Sequence, residues 1–145
     1  MAIHKLTIPY WEHFRHEADI GVRGVAANKA EAFAQVAMAM TAVITDLDSV
    51  LPQNVVEIDC ETPDEELLLV EWLNTLIYEM ATRRMLFSRF DVVLKDGQLH
   101  ARAYGETLEV SRHHPAVEVK GATYTELALY QLADNNWVAQ CVVDV

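Results

Sequence analysis

Seven residues, His13-Phe14-Arg15-His16-Glu17-Ala18-Asp19, put two imidazoles and two carboxylates into one short stretch of the chain. Three kinds of chemistry suit such a set. A solvated loop would use Asp19 to accept backbone N–H bonds, the ordinary role of an isolated aspartate before a strand. A zinc site needs three or four nitrogen or sulfur ligands at tight geometry, for which His13, His16 and His113 are available. A hard cation such as calcium or magnesium prefers oxygen ligands, and here the far end of the chain contributes. An apolar run from Val138 to Val143 stops at Asp144-Val145, so a strand tied into a sheet there would hold the Asp144 side chain beside the Val145 α-carboxylate. With Asp19 on a neighbouring strand, several anionic oxygens would converge, and one divalent cation would offset their repulsion.

Other catalytic signatures are absent. Gly21-Val22-Arg23-Gly24 has two glycines but lacks the lysine and hydroxyl of a phosphate-binding loop, so no nucleotide is expected to bind this chain alone. There is no Gly-x-Ser-x-Gly elbow, and Ser111 near His113 is a spacing that chance readily supplies. Clustered carboxylates that hold a cation can also activate water, which keeps a metal-dependent hydrolase among the alternatives. No distinct general base accompanies them here.

The 145 residues carry 11 Lys plus Arg against 22 Asp plus Glu, a net charge of −11. That field repels a phosphate backbone, and no basic run exceeds the pair Arg83-Arg84, so strong direct binding of nucleic acid is not expected. A cation, or a protein with a basic surface, suits the chain better. Cys60 and Cys141 stand far apart in apolar segments without a C-x-x-C spacing, which reads as two buried, reduced thiols. Residues Met1 to Phe14 lack the basic-then-apolar layout of a signal peptide, and the longest aliphatic run, Leu67 to Val70, is too short to span a bilayer. No membrane association and a cytoplasmic location are the expectations.

These residues need elements to position them. One helix should start at Asn28, an N-cap residue with Glu31 three positions on, and run to about Thr45 with Phe33, Val36, Ala37, Met40 and Ile44 as its apolar stripe. A second opens at Thr62-Pro63-Asp64-Glu65-Glu66, with the proline at the first helical position, and ends near Arg83-Arg84. Leu69, Trp72, Leu73, Leu76, Ile77 and Met80 would be its buried face, with Glu71, Asn74, Thr75 and Thr82 on the other. Period-two alternation predicts strands over 19–25, 55–60, 87–95, 98–104, 118–120, 124–132 and 137–144. Asp96-Gly97 between two of these signals a hairpin turn, and Asn135-Asn136 another turn. No linker or repeat divides the chain, so residues 1–145 read as one domain. The expected fold is α+β: a two-layer sandwich with a six- to seven-stranded, mostly antiparallel or mixed sheet and two helices on one face.

The stretch Trp11-Glu12-His13-Phe14-Arg15-His16-Glu17-Ala18-Asp19-Ile20-Gly21-Val22-Arg23-Gly24 resembles the opening W-E-H-x-x-H-T-A-D-I-G-I-x-G of the archease family. Leu86 to Phe90, Ala103 to Glu106, Glu118 to Tyr124 and Trp137 to Val145 resemble its later blocks in the same order. The resemblance implies a metal-binding accessory protein rather than an enzyme. It would assist an RtcB-type RNA ligase, promoting guanylylation of the ligase and multiple turnover in tRNA splicing or RNA repair. The ligase in such systems brings the GTP, the manganese and the nucleophilic histidine. Carried over by position, Asp19, Asp144 and the Val145 carboxylate become ligands of a divalent cation, calcium or magnesium, and Lys120 a functional cation near them. His13, His16, Glu17 and His113 would stand around that site. A chaperone-like modulator of nucleic-acid-processing proteins is the alternative. Two positions depart from the family pattern: Glu17 stands where a threonine is usual, and His114 where a glutamate often follows the histidine.

Overall fold

The structure is a computed structural model that describes residues 7–145. Residues 1–6, part of the stretch read against a signal peptide, lie outside the described residues. The chain orders as β1 (Tyr10–His16), β2 (Asp19–Ala26), α1 (Lys29–Ile44), a short 3-10 turn at Leu47–Ser49, β3 (Asn54–Glu61) and α2 (Glu65–Arg83). It continues with β4 (Met85–Lys95), β5 (Gln98–Thr107), α3 (Val110–His113), β6 (Gly121–Ala122), β7 (Ala128–Gln131) and β8 (Trp137–Asp144).

Both long helices form where their local signals stand. The Asn28 side chain accepts the Glu31 N–H and caps α1, which ends at Ile44 with Thr45 as its C-cap. At α2 the cap is Asp64, whose carboxylate accepts from the N–H groups of Glu66 and Leu67. Pro63 therefore stands before the cap rather than at the first helical position, because Asp64 is the residue able to pair with two orphan N–H groups. Arg84 closes that helix in the left-handed region, at φ 54°.

The α+β class holds, and every strand pair is antiparallel. The strands divide between two sheets rather than forming one. A five-stranded sheet has the order β1-β2-β8-β6 with β7 also on β8, and a three-stranded sheet has the order β3-β5-β4. Helix α1 packs on β1, β2 and β8 of the first sheet and on β4 of the second, while α2 touches β3, β4 and β5 as well as β6 and β7. Their stripes meet in one core around Phe33, Met40, Leu69, Trp72, Leu76 and Phe87, each almost completely buried. The Trp72 indole N–H is satisfied there by the Phe33 carbonyl at 3.0 Å. Cys60 and Cys141 are free and buried, and burial pushes the Cys141 thiol up to about 12. Among the described residues no helix is long and apolar enough to cross a membrane.

Three local expectations are corrected. Residues 13–19 do not form a loop before a strand: Tyr10–His16 is itself a strand, joined to β2 by a tight turn at Glu17-Ala18. The segment 118–120 is irregular and only Gly121–Ala122 pairs with β8. The alternation over 124–132 is broken by Glu126 in the left-handed region at φ 54°, leaving the strand Ala128–Gln131. Elsewhere turn chemistry was decisive. Asp96 and Gly97 both have positive φ, 50° and 77°, as a two-residue hairpin of the I′ type requires.

Candidate functional site

Strand β8 lies between β2 and β6, so both flanks of its last residues are occupied. His16 faces Asp19 across the β1–β2 turn, Ile20 faces Val143, and Gly121 faces Asp144. Continuing the β2–β8 register by one residue sets Asp19 opposite Asp144. His16, Asp19, Asp144 and Gly121 thus form one row across four strands at a single end of the sheet. Val145 follows beside them, its N–H directed at Asp19 Oδ1 at 3.5 Å, the long limit of a hydrogen bond. On the other flank the Lys120 N–H donates to the Asp144 carbonyl at 2.8 Å. Asp144 is exposed, while Asp19 and Val145 are half-buried.

The fold therefore brings together Asp19, Asp144, Val145 and Lys120, residues drawn from both ends of the chain. His16 joins them as the cross-strand partner of Asp19, and Glu17 sits in the adjoining turn at φ 50° with its side chain exposed. The other two histidines go elsewhere. His13 lies on the face of β1 that meets α1, where its Nε2–H donates to the Ala39 carbonyl at 2.7 Å and its ring tilts against Trp11. His113 is buried on α3, with Nδ1 accepting the Glu109 N–H at 2.9 Å and Nε2 donating to Glu106 at 3.1 Å. Neither stands around the carboxylate row. Among the described residues, no three His, Cys, Asp or Glu side chains are grouped to hold a metal ion, and the zinc reading loses its ligands. What remains at this end of the sheet is the Asp19 and Asp144 side chains, with Val145 beside them. Carboxylate oxygens of this kind suit a hard cation better than a nitrogen-seeking metal.

Sequence reasoning missed the residues that build this corner. Asn74 of α2 reaches Ala122 of β6, accepting its N–H at 2.8 Å and donating to its carbonyl at 3.3 Å. That doubled bond steadies β6 and, through it, Lys120 beside Asp144. Helical spacing puts Asn74 on the outer face of α2, but nothing local marks it as a bridge. On β1 and β2, Phe14 lies directly over Gly21, where an added Cβ would come within 2.3 Å of the ring, and the Arg23 guanidinium stacks on that ring at 4.5 Å. Arg23 also bonds Gln140 Oε1 at 2.9 Å and pairs with Glu12. His114, the second departure from the family pattern, closes α3 in the left-handed region at φ 46°, exposed to solvent.

The model of the Archease protein family matches residues 11–145. The protein archease of Pyrococcus abyssi is 38% identical over 139 residues, covering 93% of this chain and 98% of its own. That of Methanopyrus kandleri is 36% identical over 139 residues, covering 93% of this chain and 99% of its own. Among solved structures, Methanobacterium thermoautotrophicum protein 1598 superposes with a TM-score of 0.82 at 28% identity, covering 93% of this chain and 98% of its own. A Thermotoga maritima archease, described as a possible chaperone, shares the fold with a TM-score of 0.57 at 15% identity, covering 99% and 100% of the two chains.

Proposed function

The chain belongs to the archease family, and on that premise we propose that it is a metal-binding accessory protein of an RtcB-type RNA ligase, not an enzyme itself. It would promote guanylylation of the ligase and multiple turnover in tRNA splicing or RNA repair. The observation that carries this reading is the row of Asp19 and Asp144 with Val145 at the end of the five-stranded sheet, flanked by Lys120. Asp19, Asp144 and the Val145 carboxylate would hold calcium or magnesium, which supplies a local positive charge and cross-links β2 to the end of β8. Lys120, exposed beside the row, offers a point charge to an anionic group of the partner. The −11 net charge argues against the RNA itself as the main contact.

The test is to mix the purified protein with the cognate ligase and GTP, then follow ligase guanylylation and product per ligase. Stimulation is expected, with at least a tenfold loss for Asp19→Ala. No stimulation by the wild type, or full stimulation by the variant, would sink the proposal. A broader chaperone-like role is the second reading, favoured by the description of the Thermotoga maritima relative as a possible chaperone. Partners recovered from cells that do not include an RNA ligase would support it.

A further inference from the structure

An apolar groove of about 610 Å³ runs between the second half of α2 and the segment 115–120. Ile77, Met80, Ala81, Met85, Leu108 and Val117 line it, and Lys120 stands at its rim. Val117 is 41% exposed within it.

The segment that forms one wall has an unusual main chain. It is tied at Ala116, whose N–H donates to the Ile44 carbonyl at 2.8 Å, and at Lys120, whose N–H donates to Asp144. Between these ties, the N–H and C=O groups of Val117, Glu118 and Val119 have no hydrogen-bond partner among the described residues. Val119 is nevertheless only 5% exposed. Val117 and Glu118 are exposed, so water serves their main chain, but buried backbone polar groups are almost always paired, and Val119 is the position that lacks a neighbour. Asn74 shows the same mode of pairing three residues further on, at β6. Its carboxamide meets both the N–H and the C=O of Ala122, as the peptide group of an adjacent strand would.

Charge narrows the occupant. Lys120 is exposed and forms no ion pair among the described residues, in a chain whose net charge is −11. It selects an anionic group at that end of the groove. Glu118, also on the rim, opposes a second one. We propose that the groove binds an extended apolar segment of a partner protein, paired with the main chain of Val117 to Val119 and carrying one carboxylate opposite Lys120. Main-chain pairing would give such a segment affinity, and alternate apolar side chains in the groove would give it specificity. The proposal holds whether or not the partner is an RNA ligase.

The experiment is to pan a library of random ten-residue peptides against the full chain, titrate the enriched sequences by calorimetry and map amide exchange. Enriched peptides should alternate apolar residues and include one acidic residue, and they should slow exchange at Val117 and Val119. Val117→Arg, a half-exposed position that leaves the core intact, should weaken binding at least tenfold with an unchanged melting temperature. Lys120→Gln should weaken the acidic peptide about fivefold and spare a version with that acid changed to glutamine. A library that yields no binder, or binders unaffected by Val117→Arg, would overturn the proposal. So would binders that leave Val117 and Val119 unprotected, an outcome that would assign the groove to a helical segment instead.

Discussion

Glu106 is 6% exposed, yet its carboxylate is surrounded by donors. Leu51 N–H at 2.7 Å, Arg112 Nη1 at 2.9 Å and His113 Nε2 at 3.1 Å all meet Oε2, and Arg112 Nη2 meets Oε1. The Arg112 hydrogen bonds pull the Glu106 pKa down to about 2 from an ordinary 4.5, against the opposing effect of burial and with help from Leu51 and His113. One side chain thus ties the end of β5 to α3 and to the loop after α1. A carboxylate whose folded pKa lies below its unfolded value stabilises the fold above the unfolded pKa, and that contribution disappears as pH falls through the folded one. Wild-type stability should therefore drop as pH falls from about 4.5 toward about 2. Glu106→Gln should lose about 1–3 kcal/mol at neutral pH and show a shallower decline in that acid window. Urea unfolding at a series of pH values checks this, and parallel curves for the two proteins would refute it. Neither the burial nor the Arg112 partnership could be read locally, because Glu106 sits in a strand where alternate residues are ordinarily exposed.

At the scale of elements, the β1–β2 hairpin is held against α1 by the absence of a side chain. A Cβ added to Gly24 would lie 2.4 Å from the Val36 nitrogen and 2.5 Å from the Ala32 carbonyl oxygen, both backbone atoms of α1 that no rotamer change can move. Gly24→Ala should cost at least about 1–3 kcal/mol through overpacking, seen as a lowered urea midpoint with an unchanged slope. A midpoint within experimental error of the wild type would show that α1 shifts away freely. Helix α1, its Asn28 cap and the Asp96-Gly97 turn were legible in the sequence because each depends on residues within a few positions of one another. Strand β1 was not, since its polar residues conceal an alternation that becomes clear only when His13 is seen bonding Ala39 and Phe14 covering Gly21. The segment 118–120 failed the other way: alternation was present, but β8 ends at Asp144, and before Gly121 only the Lys120 N–H reaches it.

Across the whole molecule, the feature of most consequence is that β8, the last strand in sequence, lies inside the five-stranded sheet between β2 and β6. Closing the sheet this way sets residue 145 beside residue 19, and the proposed cation site exists only because of it. A short extension after Val145 would convert its carboxylate to a neutral amide, and calcium or magnesium affinity should fall at least tenfold by calorimetry, whereas an N-terminal extension should leave it unchanged. Equal affinity for both extended forms would remove Val145 from the ligand set. Sequence by itself determined the acidic field, the two capped helices, the hairpin turn and a strand running to Asp144, since composition, capping and short-range periodicity are local properties. It also marked Asp19, Asp144 and Val145 as oxygen donors, although their convergence was only an expectation. Tertiary structure alone decided that the strands split into two sheets, that His13 and His113 leave the carboxylate row, and that Asn74 joins its border. The reason is physical: strand partners and side-chain neighbours are chosen by burial and backbone pairing between segments more than a hundred residues apart, as with Asp19 and Val145.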